Sequence, residues 1–126
     1  MAGTHTVLVV DDEPSLRLLC RVNLELEGFR VLEAGTLGDA RTLLERDPPD
    51  LVLLDVHIAG EDGRDLLEEL RAADSPTKVV MLTGSVDVTL GRFDAADEVV
   101  VKPFEPLHLV AVVRRLVGAA AVDSTA

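Results

Sequence analysis

Thr6-Val7-Leu8-Val9-Val10-Asp11-Asp12-Glu13-Pro14 passes from an uninterrupted apolar and β-branched run into three acidic residues and a proline. A run apolar at consecutive positions, rather than at alternate ones, must be covered on both faces. That is the mark of a parallel strand inside a layered α/β domain. Pro14 suits a first helical turn, and Gly28 a helix stop, so a helix is expected from Pro14 to Glu27.

The same alternation repeats outward from this stretch. Leu51-Val-Leu-Leu54, Val79-Val-Met-Leu82 and Val99-Val-Val101 read as further buried strands, and Arg30-Val-Leu-Glu33 as a weaker one. Helical patterns lie between them. One runs from Thr36 to Arg46 and ends at Asp47-Pro48-Pro49. Another runs from Arg64 to Ala73 and ends at Ser75-Pro76. A last one runs from Pro106 to Val117 and ends at Gly118. Between Met81 and Asp97 the helical signal is poor, and Gly84 and Gly91 weaken it further. The expected fold class is α/β: a doubly wound five-stranded parallel sheet sandwiched by about five helices, the fourth short or irregular.

Composition bounds what such a domain can do. A chain of 126 residues holds one domain, large enough to bury roughly two-thirds of its unfolded surface. Hydrophobic content of 48% excludes disorder, and only 2% aromatics means a core of Leu, Val and Ala. The net charge of −11 repels phosphate backbones and acidic membranes, so no direct nucleic-acid and no membrane binding is expected. Cys20 is the sole cysteine, which rules out an internal disulfide and a cysteine zinc cluster. No apolar run approaches the ~20 residues of a membrane helix, and Met1 to His5 carries no signal pattern. Cytoplasmic is the simplest placement.

Ligands of such sheets bind beyond the carboxyl ends of the strands. Asp11, Asp12 and Glu13 follow the first strand, Asp55 ends the third, Thr83 follows the fourth, and Lys102-Pro103 follows the fifth. The second strand offers only Glu33 and Ala34, which read as structural. Clustered carboxylates repel one another, and a hard divalent cation relieves that repulsion. Oxygen-only ligands favour Mg2+ over zinc. A carboxylate can attack phosphorus, and phosphoryl transfer then needs little beyond positioning and charge neutralisation. Each feature has an ordinary reading alone: an acidic pair after a strand is often a helix N-cap, and a lone Asp a turn residue. Their joint occurrence at strand ends, in this order, is what points to chemistry.

From about Val7 to Val117 the chain resembles the receiver domains of two-component response regulators, the CheY-like group. The resemblance rests on Val-Val-Asp11-Asp12-Glu-Pro, Asp-Leu-Val-Leu-Leu-Asp55, Glu-Asp62-Gly63, Leu-Thr83-Gly and Val-Lys102-Pro103-Phe104. It implies a flavodoxin-like receiver fold over residues 1–118, with 119–126 a flexible tail or the start of a linker. It implies Asp55 as phosphoacceptor, Asp12 as a direct Mg2+ ligand and Asp11 as a direct or water-mediated one. The backbone carbonyl of His57 would complete the protein's metal ligands. Thr83 and Lys102 would each hold a phosphoryl oxygen, Gly63 would start the third helix, and a cis peptide would fall at Lys102-Pro103. The implied phosphodonor is a sensor histidine kinase or a histidine phosphotransfer protein, with an unknown downstream effector. The domain would catalyse its own phosphorylation and dephosphorylation without being a conventional enzyme.

The chain departs from the family pattern at three places. Val99 stands three residues before Lys102, where relatives usually carry Tyr or Phe. Thr83 and Lys102 are only 19 positions apart (102 − 83), a few fewer than usual, so Ser85 to Asp94 is expected to be mobile. Ala59 replaces a usual proline, which predicts a looser metal-side loop. These departures leave a second function open, a receiver-fold binding module with weak or atypical phosphorylation switching. A third reading, a phosphohydrolase with an aspartate nucleophile, needs an acid beside Asp55, and His57 is the nearest candidate in sequence.

Other residues read more simply. The His57 side chain is expected to be exposed over the site, and His5 and His108 to be solvated or structural. Cys20 belongs to a core stripe with Leu16, Leu19 and Leu24. Leu18, Val22 and Leu26 form a second stripe. Since the first helix of relatives helps to dock the kinase, Leu18 and Val22 are expected to form an exposed contact patch.

Overall fold

The computed structural model describes residues 4–84 and 93–125, with side chains as far as residue 118. Seven strands and four helices lie within these residues. They are β1 (Thr6–Val10), α1 (Pro14–Leu26), β2 (Arg30–Ala34), α2 (Leu37–Arg46), β3 (Leu51–Asp55), β4 (His57–Ile58), β5 (Glu61–Asp62), α3 (Arg64–Ala72), β6 (Lys78–Thr83), β7 (Glu98–Val101) and α4 (Pro106–Thr125). Five strands form one parallel sheet in the order β2-β1-β3-β6-β7. β4 and β5 make a separate antiparallel hairpin, with His57 opposite Asp62.

The uninterrupted apolar runs are explained by their two buried faces. Val7, Val9, Leu51, Leu53, Val80, Leu82 and Val100 pack on one side with Cys20 and Leu24 of α1 and Leu109, Val113 and Val117 of α4. Leu8, Val10, Val52, Leu54, Val79 and Met81 pack on the other with Leu37 of α2 and Leu66, Leu67 and Leu70 of α3. β1 and β3 are buried at every position. Burying such Val and Leu side chains contributes roughly 1.5–3 kcal/mol each, which offsets the scarcity of aromatics.

Local signals fix the boundaries. Pro14 opens α1, and Gly28, at φ 91°, closes it in the left-handed region. The Thr36 hydroxyl caps α2 by accepting the Asp39 N–H at 3.0 Å. Two expectations need adjustment. α4 does not stop at Gly118 but continues to Thr125, because one glycine costs a helix only about 1 kcal/mol. Leu19 is 40% exposed rather than in the core, since α1 turns only Cys20 and Leu24 fully inward. The expected fourth helix, and most of the Ser85 to Asp94 segment, lie outside the described residues. Phe93 to Ala96 form a turn closed by the Ala96 N–H on the Phe93 carbonyl at 3.0 Å. Arg71 of α3 holds this turn, donating to the Ala95 carbonyl at 2.8 Å and to Asp97 at 2.7 Å.

Candidate functional site

The strand order reverses at β1, so the crevice of this sheet opens between the carboxyl ends of β1 and β3. Asp11 follows β1, and Asp55 is the last residue of β3. Oxygens of Asp11, Asp12 and Asp55 lie within 4.8 Å of one another. Asp11 and Asp55 are buried, and Asp12 is exposed. The Lys102 ammonium reaches both buried members, 3.1 Å from Oδ1 of Asp55 and 3.3 Å from Oδ2 of Asp11. Lys102 is brought there from the far side of the sheet. Its N–H donates to the Thr83 carbonyl at 2.7 Å, and its peptide bond to Pro103 is cis, as the resemblance implied.

Two carboxylates and one ammonium in a crevice leave the balance on the acidic side. Burial first, and then the Asp11 charge, push the Asp55 carboxyl up to about 6. Lys102 and the Val56 N–H oppose this rise without cancelling it. Burial pulls Lys102 down, but Asp55 and Asp11 outweigh it, and the ammonium titrates above its ordinary range. Both donors to Asp55 address the same oxygen, Val56 N–H at 2.9 Å and Lys102 at 3.1 Å from Oδ1. No buried side-chain oxygen among the described residues lacks a partner.

The end of β3 is braced from α3. The Gly63 N–H donates to the Val56 carbonyl at 2.6 Å. A Cβ on residue 63 would lie 2.0 Å from the Asp55 carbonyl oxygen, so only glycine permits this approach. Gly63 is also the N-cap of α3, as expected.

The metal-side loop is a hairpin turn. Ala59 and Gly60 have φ of 50° and 82° and form the two-residue turn of the β4–β5 hairpin. Proline, with φ held near −65°, cannot occupy such a position. The Ala59 N–H donates to Oδ2 of Asp12 at 2.8 Å, a bond that proline could not make. What looked like a gain of freedom is a different, bonded turn.

The remaining expected residues fall around this cluster. Thr83 is buried at the end of β6, one residue beyond the Leu82 that pairs with Asp55, and its hydroxyl donates to the Gly84 carbonyl at 3.1 Å. The His57 side chain is exposed on β4, and Cys20 is buried, its thiol pushed up to about 12 by burial and then by Asp11. Leu18 and Val22 are both exposed, at 59% and 47%. Val99 is half-buried and packs with Phe93 and Ala96 against the α2–α3 side of the core.

Sequence reasoning passed over Arg17 and set Glu33 aside as structural. The two are joined at 3.1 Å, and Arg17 also donates to the Asp11 carbonyl at 2.6 Å. The available signal was two arginines, Arg17 and Arg21, spaced i,i+4 on α1 beside the acidic member of β2.

The three-carboxylate donor set suits a hard divalent cation. Residues 7–114 match the family model described as the response regulator receiver domain. The DNA-binding response regulator MtrA of Mycolicibacterium smegmatis is 46% identical over 111 residues, covering 86% of this chain and 48% of that protein. The chain thus spans about half the length of the curated relatives it matches. The signal receiver domain of the putative LuxO repressor from Vibrio parahaemolyticus superposes with a TM-score of 0.87 at 28% identity, covering 98% of this chain and 97% of that one. A CheY-like receiver domain from Methanospirillum hungatei gives 0.86 at 26% identity, covering 96% and 99%. On the sheet order, the carboxylate cluster and these matches, the chain belongs to the response regulator receiver domain family.

Proposed function

We propose that this domain is a phosphorylation-dependent switch in two-component signalling, with Asp55 the phosphoacceptor. The observation that carries this reading is the state of Asp55. It is buried, crowded by Asp11, and held on Oδ1 by the Val56 N–H and the Lys102 ammonium at the point where the three carboxylates meet. In the transfer, a carboxylate oxygen of Asp55 forms a bond to phosphorus as the bond from phosphorus to a donor imidazole nitrogen breaks. The imidazole leaves as a neutral ring, keeping the proton that its other nitrogen already carried in the phosphohistidine, and the product is an acyl phosphate on Asp55.

Asp11, Asp12, Asp55 and the His57 carbonyl are the proposed ligands of Mg2+, which when bound would neutralise charge on the phosphoryl oxygens. Lys102 is already poised on Asp55 and would follow the transferred charge. The Thr83 hydroxyl would donate to a second phosphoryl oxygen in place of the Gly84 carbonyl. Hydrolysis of the acyl phosphate by the same groups would return the domain to rest.

The proposed donor is a histidine kinase or phosphotransfer protein. A groove of about 400 Å³ lined by Glu13, Leu16, Leu19, Lys102, Pro103 and Phe104 lies beside the site, next to exposed Leu18 and Val22. MtrA is a DNA-binding regulator, but a domain of net charge −11 is not proposed to contact DNA itself. No helix among the described residues is long and apolar enough to cross a membrane. A cytoplasmic placement is proposed from the family alone. Residues 1–118 are taken as the receiver unit, since Val117 is the last core residue among those described, with 119–126 as a tail or linker.

Asp55→Asn tests the assignment. Wild type should gain one phosphoryl group from acetyl phosphate in the presence of Mg2+, read by intact-protein mass, and the variant none. Equal labelling of both would reject Asp55. The half-buried Val99 favours a second reading, a binding module that switches weakly. On that reading beryllofluoride binds with amide shifts confined to the site.

A further inference from the structure

The peptide that joins Asp11 to Asp12 is gripped from outside the carboxylate cluster. Its carbonyl, which belongs to Asp11, accepts a hydrogen bond from Nη1 of Arg17 at 2.6 Å. Arg17 is in turn anchored by its Nε on Oε1 of Glu33 at 3.1 Å. The other oxygen of Glu33 accepts from Nη1 of Arg21 at 2.5 Å. Arg21 also reaches Glu25 at 3.1 Å. The guanidinium of Arg17 is not a surface ornament: its side chain is 20% exposed, and that of Glu33 is 27% exposed. Gly35 leaves room for it, since a Cβ there would lie 3.2 Å from Nη1.

Every polar group of Asp11 is thereby fixed. Its N–H donates to the Ala34 carbonyl at 3.0 Å, and its carbonyl accepts from Arg17. Its Oδ1 accepts from the Glu13 N–H at 2.9 Å, and Oδ2 from Lys102 at 3.3 Å. Of these, only the Arg17 bond acts on the peptide plane shared with Asp12. Rotation of that plane would turn the two carboxylates relative to each other. Groups of this kind, which orient ligands without touching the ion, typically govern 10–100-fold in metal affinity.

We propose that Arg17, anchored by Glu33, is a positioning residue that sets the Asp11–Asp12 peptide for divalent-cation binding. The proposal rests on the reading of Asp11 and Asp12 as Mg2+ ligands. Arg17→Met keeps the aliphatic stem and removes the donor. In the full chain it should raise the calorimetric Mg2+ dissociation constant about tenfold. It should also shift the Asp12 amide resonance in the metal-free protein, while circular dichroism stays native. Arg17→Lys keeps the charge but cannot bond Asp11 and Glu33 together as a fork, so it should recover only a minor part of the affinity. Glu33→Gln, which loosens the anchor and leaves the guanidinium, should give a smaller loss in the same direction and stands in if Arg17→Met does not fold. Mg2+ affinity within twofold of wild type in Arg17→Met, or full recovery with Lys, overturns the role of Arg17. Failure of the wild type to bind Mg2+ at all overturns the metal reading and this proposal together.

Discussion

The N–H of Ala59 donates to Oδ2 of Asp12 across 47 positions of sequence, from a backbone held at φ 50°. One residue thus orients an exposed carboxylate and turns a hairpin, in a conformation that a non-glycine residue adopts only at a cost of about 1–2 kcal/mol. Ala59→Gly should relieve that strain and raise stability by up to about 1 kcal/mol, seen as a higher urea midpoint. Ala59→Pro should do the reverse and also weaken Mg2+ binding, because both the φ and the donor are lost. A proline variant as stable as wild type would show that the hairpin turn is not what holds Asp12.

The carboxyl of Asp55 makes folding depend on pH in a definite direction. Its ordinary value is 3.8, and in the folded domain it is pushed up to about 6. Below the lower value the group is protonated in both states and no penalty exists. As pH rises towards 6 the unfolded chain releases the proton first, and stability falls; above 6 the penalty is complete. Asp55→Asn should therefore be more stable than wild type at pH 7 without divalent cations, by on the order of 2 kcal/mol. The gap should close near pH 4. Denaturant titrations at the two pH values measure it, and a gap that persists in acid would contradict the burial of a charged Asp55.

Lys102 is the cation that both buried carboxylates share. Lys102→Met should leave Asp11 and Asp55 facing one another without relief. Asp55 should then titrate above its wild-type value, as followed by carboxyl carbon NMR, and labelling by acetyl phosphate should fall steeply. An unchanged titration would mean that the ammonium does not neutralise the pair in solution.

Gly63→Ala tests the close approach between α3 and the end of β3. With a Cβ placed 2.0 Å from the Asp55 carbonyl, the backbone must move. A loss of roughly 1–3 kcal/mol is expected by thermal or urea unfolding, together with weaker labelling of Asp55. A silent substitution would show that the two elements are free to separate.

The sheet was legible in the sequence because β1, β3 and β6 are buried on both faces and so are written as unbroken apolar runs. The acidic cluster was legible because strand ends are where such sheets place their ligands. What stayed hidden depended on backbone geometry or on side chains meeting across elements. Ala59 read as a missing proline, since nothing in Ile58-Ala59-Gly60 announces two positive φ values. Arg17 read as an ordinary helix residue, since its partners lie on the β1–α1 loop and on β2. α4 passed its expected stop because packing below Gly118, at Val113 and Val117, outweighs a weak local breaker.

Arg64 and Arg71 make α3 a rod fastened at both ends. Arg64 grips Asp62 in the hairpin and lies over the Phe93 ring at 5.6 Å, while Arg71 holds Ala95 and Asp97. The two arginines are about two turns, or roughly 10 Å, apart along the axis. The rod's near end bears on Asp55 through Gly63, so that contact is a fulcrum and Arg71 is the long arm. Asp55 and the approach to β7 are thus spanned by one helix, held at its start by the close contact of Gly63 and at its end by Arg71.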